Sequence, residues 1–310
     1  MKNNTLTSAR SHPSNTRGYL AVFLSTCLLS LTGILIKFLL NDYHLESLAL
    51  AFWRVFIVSL GLGLALALFR PALLRFRSHD LGLLALFGFI AVGLHQVVWI
   101  TSVQWNGVAV ATVLVYIQPA IVAVVASRFF GETLDRLKLV ALVISFGGMI
   151  LVARAYDLAV LNLNAPGILM GLGTGVTWAC YALFARYHAR RYSPWTAMFY
   201  AFVFGALLLL PLQFFVRDIF VLDGSWSGWG LLIFLALGPT LGGFGLYTVG
   251  LSQLPATIVT IIGMLEPVLS IVLAYFLFGE TMNLFQIFGA ALILASVLLL
   301  RPSTGAAGDV

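Results

Sequence analysis

The sequence predicts an all-α integral membrane protein of ten transmembrane helices, arranged as two inverted five-helix repeats. Three observations predict it. Apolar runs of spanning length recur along the whole chain, basic residues gather on one side of those runs, and the second half of the chain repeats the first.

Composition sets the solvent. Hydrophobic residues fill 61% of the 310 positions and charged residues 9%. A soluble domain carries about 25% charged residues. So few charges cannot cover a water-facing surface, and most of this chain must face hydrocarbon. The net charge of +6 is no nucleic-acid footprint, because the basic residues sit at the ends of the apolar runs. Cys27 and Cys180 both lie inside apolar stretches, which does not support a disulfide framework or a zinc site.

The runs occupy 19–39, 45–68, 81–103, 108–130, 137–154, 166–188, 194–216, 228–250, 255–278 and 284–300, with short loops between them. The first run, Tyr19 to Leu40, is too long for a signal-peptide core and reads as a retained span. Residues 1–18 are then a cytoplasmic tail, 19–154 the first repeat, 155–300 the second, and 301–310 a second cytoplasmic tail.

Numbering the loops alternately tests the count. One side receives Lys2, Arg10, Arg17, Arg70, Arg75, Arg77, Arg128, Arg136, Lys138, Arg186, Arg190, Arg191 and Arg301. The other receives Arg154 and Arg217, while Lys37 and Arg54 fall within spans. Basic loops face the cytoplasm, so both termini are expected there. A missed or extra span early in the chain would spoil the bias.

The repeat appears at an offset of about 148 residues, a value fixed by the pairs themselves. Thr112, Pro119, Val124 and Ala126 fall on Thr260, Pro267, Val272 and Ala274, and Phe130-Gly131-Glu132-Thr133 falls on Phe278-Gly279-Glu280-Thr281. Span 4 therefore matches span 9. Five spans separate them, so the halves must run in opposite directions. Arg136 and Lys138 after the first copy become Leu284 and Gln286 after the second, as expected if only the first exit is cytoplasmic.

These residues resemble a known family. Spans 3–5 and 8–10 are similar to the paired modules of the drug/metabolite transporter superfamily, EamA type. The resemblance is carried by Tyr247 through Pro255, Glu266-Pro267, Gly279-Glu280, Gln286 and Gly289, and by Trp178-Ala179-Cys180-Tyr181 continuing to Ala185-Arg186. Arg54 stands where the family often has an arginine in span 2. Leu29 and Ser30 replace a frequent Trp-Gly pair, and Lys138 and Ala141 in the first module stand where the second has Gln286 and Gly289. The chain is most similar to bacterial exporters of aromatic amino acids. The resemblance implies a secondary transporter exporting amino acids and related small metabolites across the bacterial inner membrane.

A charge at the centre of a membrane helix costs about 2.5–3.5 kcal/mol on insertion scales, so each one needs a reason. Glu266 lies roughly 17 Å into span 9, and Gln118 roughly 15 Å into span 4 from the opposite face. Each precedes a proline. Pro119 cannot bond the carbonyl of Val115, nor Pro267 that of Gly263, so both are hinge candidates. Helices broken at one depth in both halves are the best sequence pointer to a substrate site. The alternative is a pair of structural kinks, with Glu266 paired to Arg54.

Glu266 is also a candidate proton carrier or a contact for a substrate amino group. His95 and Gln96 lie in the outer half of span 3, and Lys37 near the end of span 1 reads as reaching for the interface. Trp99, Tyr116, Trp178, Tyr181 and Tyr247 are pocket candidates whose rings suit an apolar or aromatic solute. Core packing is the competing reading. Trp105, Trp195, Trp226 and Trp229 sit at span ends and read as an interfacial belt. Gly131 and Gly279 are expected to end a helix, with Thr133 and Thr281 capping the next. Gly171 and Gly175 have the spacing of a close helix contact.

No phosphate loop, HExxH pair, GxSxG elbow or zinc-spaced cysteine set occurs. Tyr156-Asp157 resembles half of an intramembrane aspartyl protease signature, whose partner motif is missing from the spans. The expected partners are a small-molecule substrate, amino acids or amphipathic metabolites, and the lipid bilayer. No nucleic acid, cofactor or metal is expected, and the chain is expected to act as a monomer by alternating access. A multidrug exporter of lipophilic cations is the nearest alternative. An intramembrane enzyme or a receptor is more distant.

Overall fold

The computed structural model describes residues 16–300, apart from 158–163, 218–219, 221, 223 and 280. Lys2, Arg10, Arg301, Glu280 and most of both predicted tails lie outside the described residues. Every regular element described is helical: α1 (Thr16–Asn41), α2 (Ser47–Phe69), α3 (Leu81–Gly88), α4 (His95–Val115), α5 (Gln118–Phe129), α6 (Arg136–Val152), α7 (Ala165–His188), α8 (Pro194–Leu209), α9 (Trp226–Leu235), α10 (Gly243–Gln253), α11 (Ala256–Gly263), α12 (Glu266–Phe278) and α13 (Leu284–Leu299).

Among the described residues, seven helical stretches are long and apolar enough to cross a membrane. One of them, Ser78–Phe129, has 52 residues and contains the predicted spans 3 and 4. It is broken at Gly107, whose φ of 77° and ψ of 166° lie outside the helical region. Only glycine takes that conformation without strain. Leu284–Leu299 is apolar but shorter.

The local sequence explains where the helices start. Asp135 accepts from the Lys138 amide at 2.9 Å at the head of α6, and Asn164 accepts from Gly167 at 3.1 Å at the head of α7. Ser225 caps α9 through Gly228 at 3.1 Å. Asn283 and Gln286 form a reciprocal capping box on α13. These caps correct the sequence reading of Thr133 and Thr281. Gly131 and Gly279 do leave their helices in the left-handed region, at φ 69° and 66°. The chain then runs four more residues before α6 and α13 begin, so Asp135 and Asn283 hold the cap positions.

The halves repeat in register. α4 ends at Val115 and α11 at Gly263, α5 starts at Gln118 and α12 at Glu266, and α6 starts at Arg136 and α13 at Leu284. Even an irregularity is shared: a π-helical segment leads into α4 (Phe89–Leu94) and another into α10 (Ala236–Gly242). In the second, Pro239 has no N–H to offer the Leu235 carbonyl. The Thr240 hydroxyl donates to that carbonyl instead, at 2.8 Å. The packing follows the same exchange, with α4 against α7, α10 against α1, α2 against α8, and α6 against α13.

The core runs through Phe87, Tyr181, Phe202, Tyr247 and Leu251. Large apolar side chains such as Phe69, Phe129, Val143 and Phe276 point outward, which suits a surface facing lipid. Gly171 and Gly175 turn toward Leu114 and Ile117, so α7 approaches α4 closely, as their spacing predicts. Trp226 is 93% exposed, whereas Trp229 packs edge-on against Trp53 with ring centroids 5.1 Å apart.

Candidate functional site

Two proline-headed helices frame the site. Before α5, the Ile117 amide bonds the Leu114 carbonyl. Before α12, the Met264 and Leu265 amides bond Ile261 and Ile262. All three bonds reach back three residues, so each chain tightens into a turn before restarting at the proline. The predicted hinges at Pro119 and Pro267 are therefore true helix breaks, and they bring Tyr116, Gln118 and Glu266 together.

Beside these breaks lies a cavity of about 520 Å³. Of the predicted site residues, Arg54, His95, Trp99, Tyr116, Trp178, Glu266 and Pro267 line it. Gln118 and Tyr247 lie just beneath, in a small crevice shared with Tyr116, Trp178 and Glu266. There the Gln118 Nε2 donates to the Tyr247 hydroxyl at 3.3 Å. Pro119 is buried and lines neither space. Tyr181 is 0% exposed. It stands behind Trp178 and shares a hydrogen bond with Thr248 at 3.0 Å.

The walls also hold residues outside the predicted set, including Gln96, Thr240, Phe244, Ser270, Arg154 and Gln286. Pattern gives no sign of Thr240, in the π-helical segment before α10, or of Phe244 on α10, because both stretches are apolar on most sides. Gln286 has a signal, since it departs from its counterpart Lys138.

The polar groups are held in place. His95 Nδ1 lies 3.1 Å from the Thr177 hydroxyl, and that hydroxyl donates its one proton to the Thr174 carbonyl at 3.0 Å. This network assigns the proton to His95 Nδ1 and leaves Nε2 as an acceptor. The His95 ring stacks on Trp178 at 5.3 Å, and Trp178 stacks on Tyr247 at 5.8 Å. The Tyr116 hydroxyl is a polar neighbour of the Glu266 carboxylate. Arg54 lies within electrostatic reach of Glu266, yet none of the described ion pairs joins the two. Its Nε is buried without a hydrogen-bond partner. Among the described residues, no group of three His, Cys, Asp or Glu is placed to hold a metal.

The cavity reaches one end of the helices, where Val108, Ala109, Arg154 and Gln286 form its rim. Arg154 pairs there with Asp157 at 3.0 Å, and Gln286 Nε2 donates to the Val152 carbonyl at 3.2 Å. The Arg-rich end is tied shut. Glu132 accepts from the amides of Ala256 at 2.6 Å and Thr257 at 3.1 Å, and from the Thr257 hydroxyl at 2.9 Å. Arg186 Nη1 donates to the Leu251 carbonyl at 2.7 Å. Asp80 accepts from the Tyr192 hydroxyl at 2.6 Å and from Arg191 Nη1 at 3.0 Å.

A polytopic helical fold around a cavity closed at one end defines a class, the membrane transporters. The comparisons narrow it. Residues 16–154 and 165–301 each match the EamA-like transporter family, and the chain belongs to that family. An uncharacterized transporter of Archaeoglobus fulgidus is 29% identical over 289 residues, covering 91% of this chain and 95% of its own. The threonine/homoserine exporter RhtA of Salmonella typhimurium is 25% identical over 242 residues, 77% of each chain. A crystal structure with 19% identity superposes at a TM-score of 0.75, covering 92% of this chain and 97% of its own, and shows the same fold. The protein is thus a multi-pass membrane transporter of small molecules, in a family of transporters rather than enzymes.

Proposed function

We propose that the chain spans the bacterial inner membrane ten times, as two inverted five-helix halves (19–154 and 155–300) with both termini cytoplasmic. In this reading it exports amino acids and related small metabolites by alternating access. One observation carries it: the cavity sits where the two halves break their matching helices, open toward one end and tied shut at the other. That is one end-state of an alternating-access cycle. With the basic end in the cytoplasm, it is the outward-open state. The similarity to a threonine/homoserine exporter supports the substrate class.

Gln118, Glu266, His95, Trp99, Tyr116, Trp178, Tyr247 and Arg54 are the proposed substrate-binding groups. Tyr181 supports Trp178 from behind, and Pro119 and Pro267 are the hinges. The test is uptake of labelled amino acids into liposomes holding the pure protein. Flux above empty liposomes for some of a broad panel is expected. Flux confined to lipophilic cations would instead mark a multidrug exporter. Glu266→Gln measured across pH separates coupling modes: a flattened pH profile marks Glu266 as the proton carrier, and an unchanged profile removes it from that role.

A further inference from the structure

Two opposite charges face the cavity at membrane depth without neutralising each other by contact. Arg54 enters from α2 and Glu266 from the head of α12. Among the described residues, none shares a hydrogen bond with Arg54. Its Nε is buried and unpartnered, which leaves only the two terminal guanidinium nitrogens to meet an occupant of the cavity. Glu266 has Tyr116 beside it but no ion-pair partner among the described residues. The other charge at the cavity, Arg154, is already paired with Asp157 at the rim.

An unpartnered guanidinium in the membrane interior is costly, and a fork of donors suits a carboxylate. A carboxylate beside it calls for a cation. Much of the remaining cavity wall is apolar and aromatic, with Trp178, Phe244 and Val92 among its residues.

We infer that Arg54 and Glu266 are opposite poles of one recognition site for a zwitterion, with substrate carboxylate on Arg54 and substrate ammonium on Glu266. The inference rests on the amino acid reading above and sharpens it. A neutral dipolar solute satisfies both poles. A plain cation satisfies Glu266 and leaves Arg54 uncompensated, and a plain anion does the reverse. The poles therefore select against lipophilic cations and against organic acids, while the apolar wall accepts the side chain. His95, its Nε2 an acceptor, adds a contact that a substrate ammonium favours over a second carboxylate.

The test uses the unaltered protein in detergent or nanodiscs and varies the ligand. Binding is read from the fluorescence of Trp99 and Trp178, and flux in liposomes. The probes are phenylalanine and threonine, their amides without a carboxylate, and their N-acetyl forms without an ammonium. Each modified form is expected to bind about tenfold more weakly or worse than its parent amino acid, the loss of one charge-assisted contact. Arg54→Gln should abolish the preference for acid over amide, and Arg54→Lys should keep part of it. If amides bind and move as well as the amino acids, the exporter reading stands and the zwitterion site is wrong. If no amino acid binds or moves while other solutes do, the reading and the inference fall together.

Discussion

Gln118 Nε2 donates to the Tyr247 hydroxyl at 3.3 Å, joining a broken helix of the first half to a helix of the second directly under the cavity. Both side chains are buried, at 2% and 3% exposure. The pair lies just beneath the cavity, in the crevice it shares with Tyr116, Trp178 and Glu266. Polar bonds between membrane helices average about 0.6 kcal/mol in double-mutant cycles. Gln118→Leu and Tyr247→Phe should therefore be non-additive by about that amount in thermal unfolding of the detergent-solubilised protein. Strict additivity would show that the bond contributes nothing.

Glu132 offers a second prediction. Its carboxylate takes the first amides of α11, an N-terminal cap supplied from the loop after α5. Glu132→Ala should lower stability by about 1–2 kcal/mol, within the range for a lost cap. Glu132→Gln keeps one acceptor oxygen and should cost less. Heat denaturation followed by circular dichroism measures both, and equal melting temperatures for all three proteins would contradict the assignment.

Close packing gives a third. A Cβ on Gly148 would stand 2.6 Å from the Gly289 carbonyl oxygen, and a Cβ on Gly289 would stand 2.6 Å from that of Gly148. Backbone cannot step aside, so Gly148→Ala and Gly289→Ala must push α6 and α13 apart. Each should destabilise by about 1–3 kcal/mol. Gly147 is the control, because a Cβ there meets nothing within 4 Å. Gly147→Ala should be neutral or slightly stabilising, and a melting temperature as low as that of Gly148→Ala would refute the packing argument.

Much of this architecture is legible in the sequence because its causes are local. Lipid demands long apolar runs, and proline breaks a helix wherever it stands, so the breaks at Pro119 and Pro267 and the matched register of the halves could be read from residue order. The rotational setting of each helix could not. These helices are apolar on nearly every side, and that leaves no periodic face to mark which residue points inward. Trp178 and Tyr181 are three residues apart, yet one lines the cavity and the other is sealed behind it. Thr240 and Phe244 reach the wall for the same reason, unannounced. The caps at Asp135 and Asn283 were obscured by the more familiar threonines after each glycine. The two π-helical segments have no composition signal, although Pro239 marks the second.

The central claim is that a cavity between two repeated halves carries amino acids across the membrane. Counterflow tests it most directly. Liposomes holding the pure protein and loaded with an unlabelled amino acid are given the same labelled amino acid outside. The account predicts transient accumulation of label above empty liposomes, reduced by Arg54→Gln in protein that remains monodisperse. Label that never exceeds the empty-liposome level, across aliphatic, hydroxylated and aromatic amino acids, would contradict it.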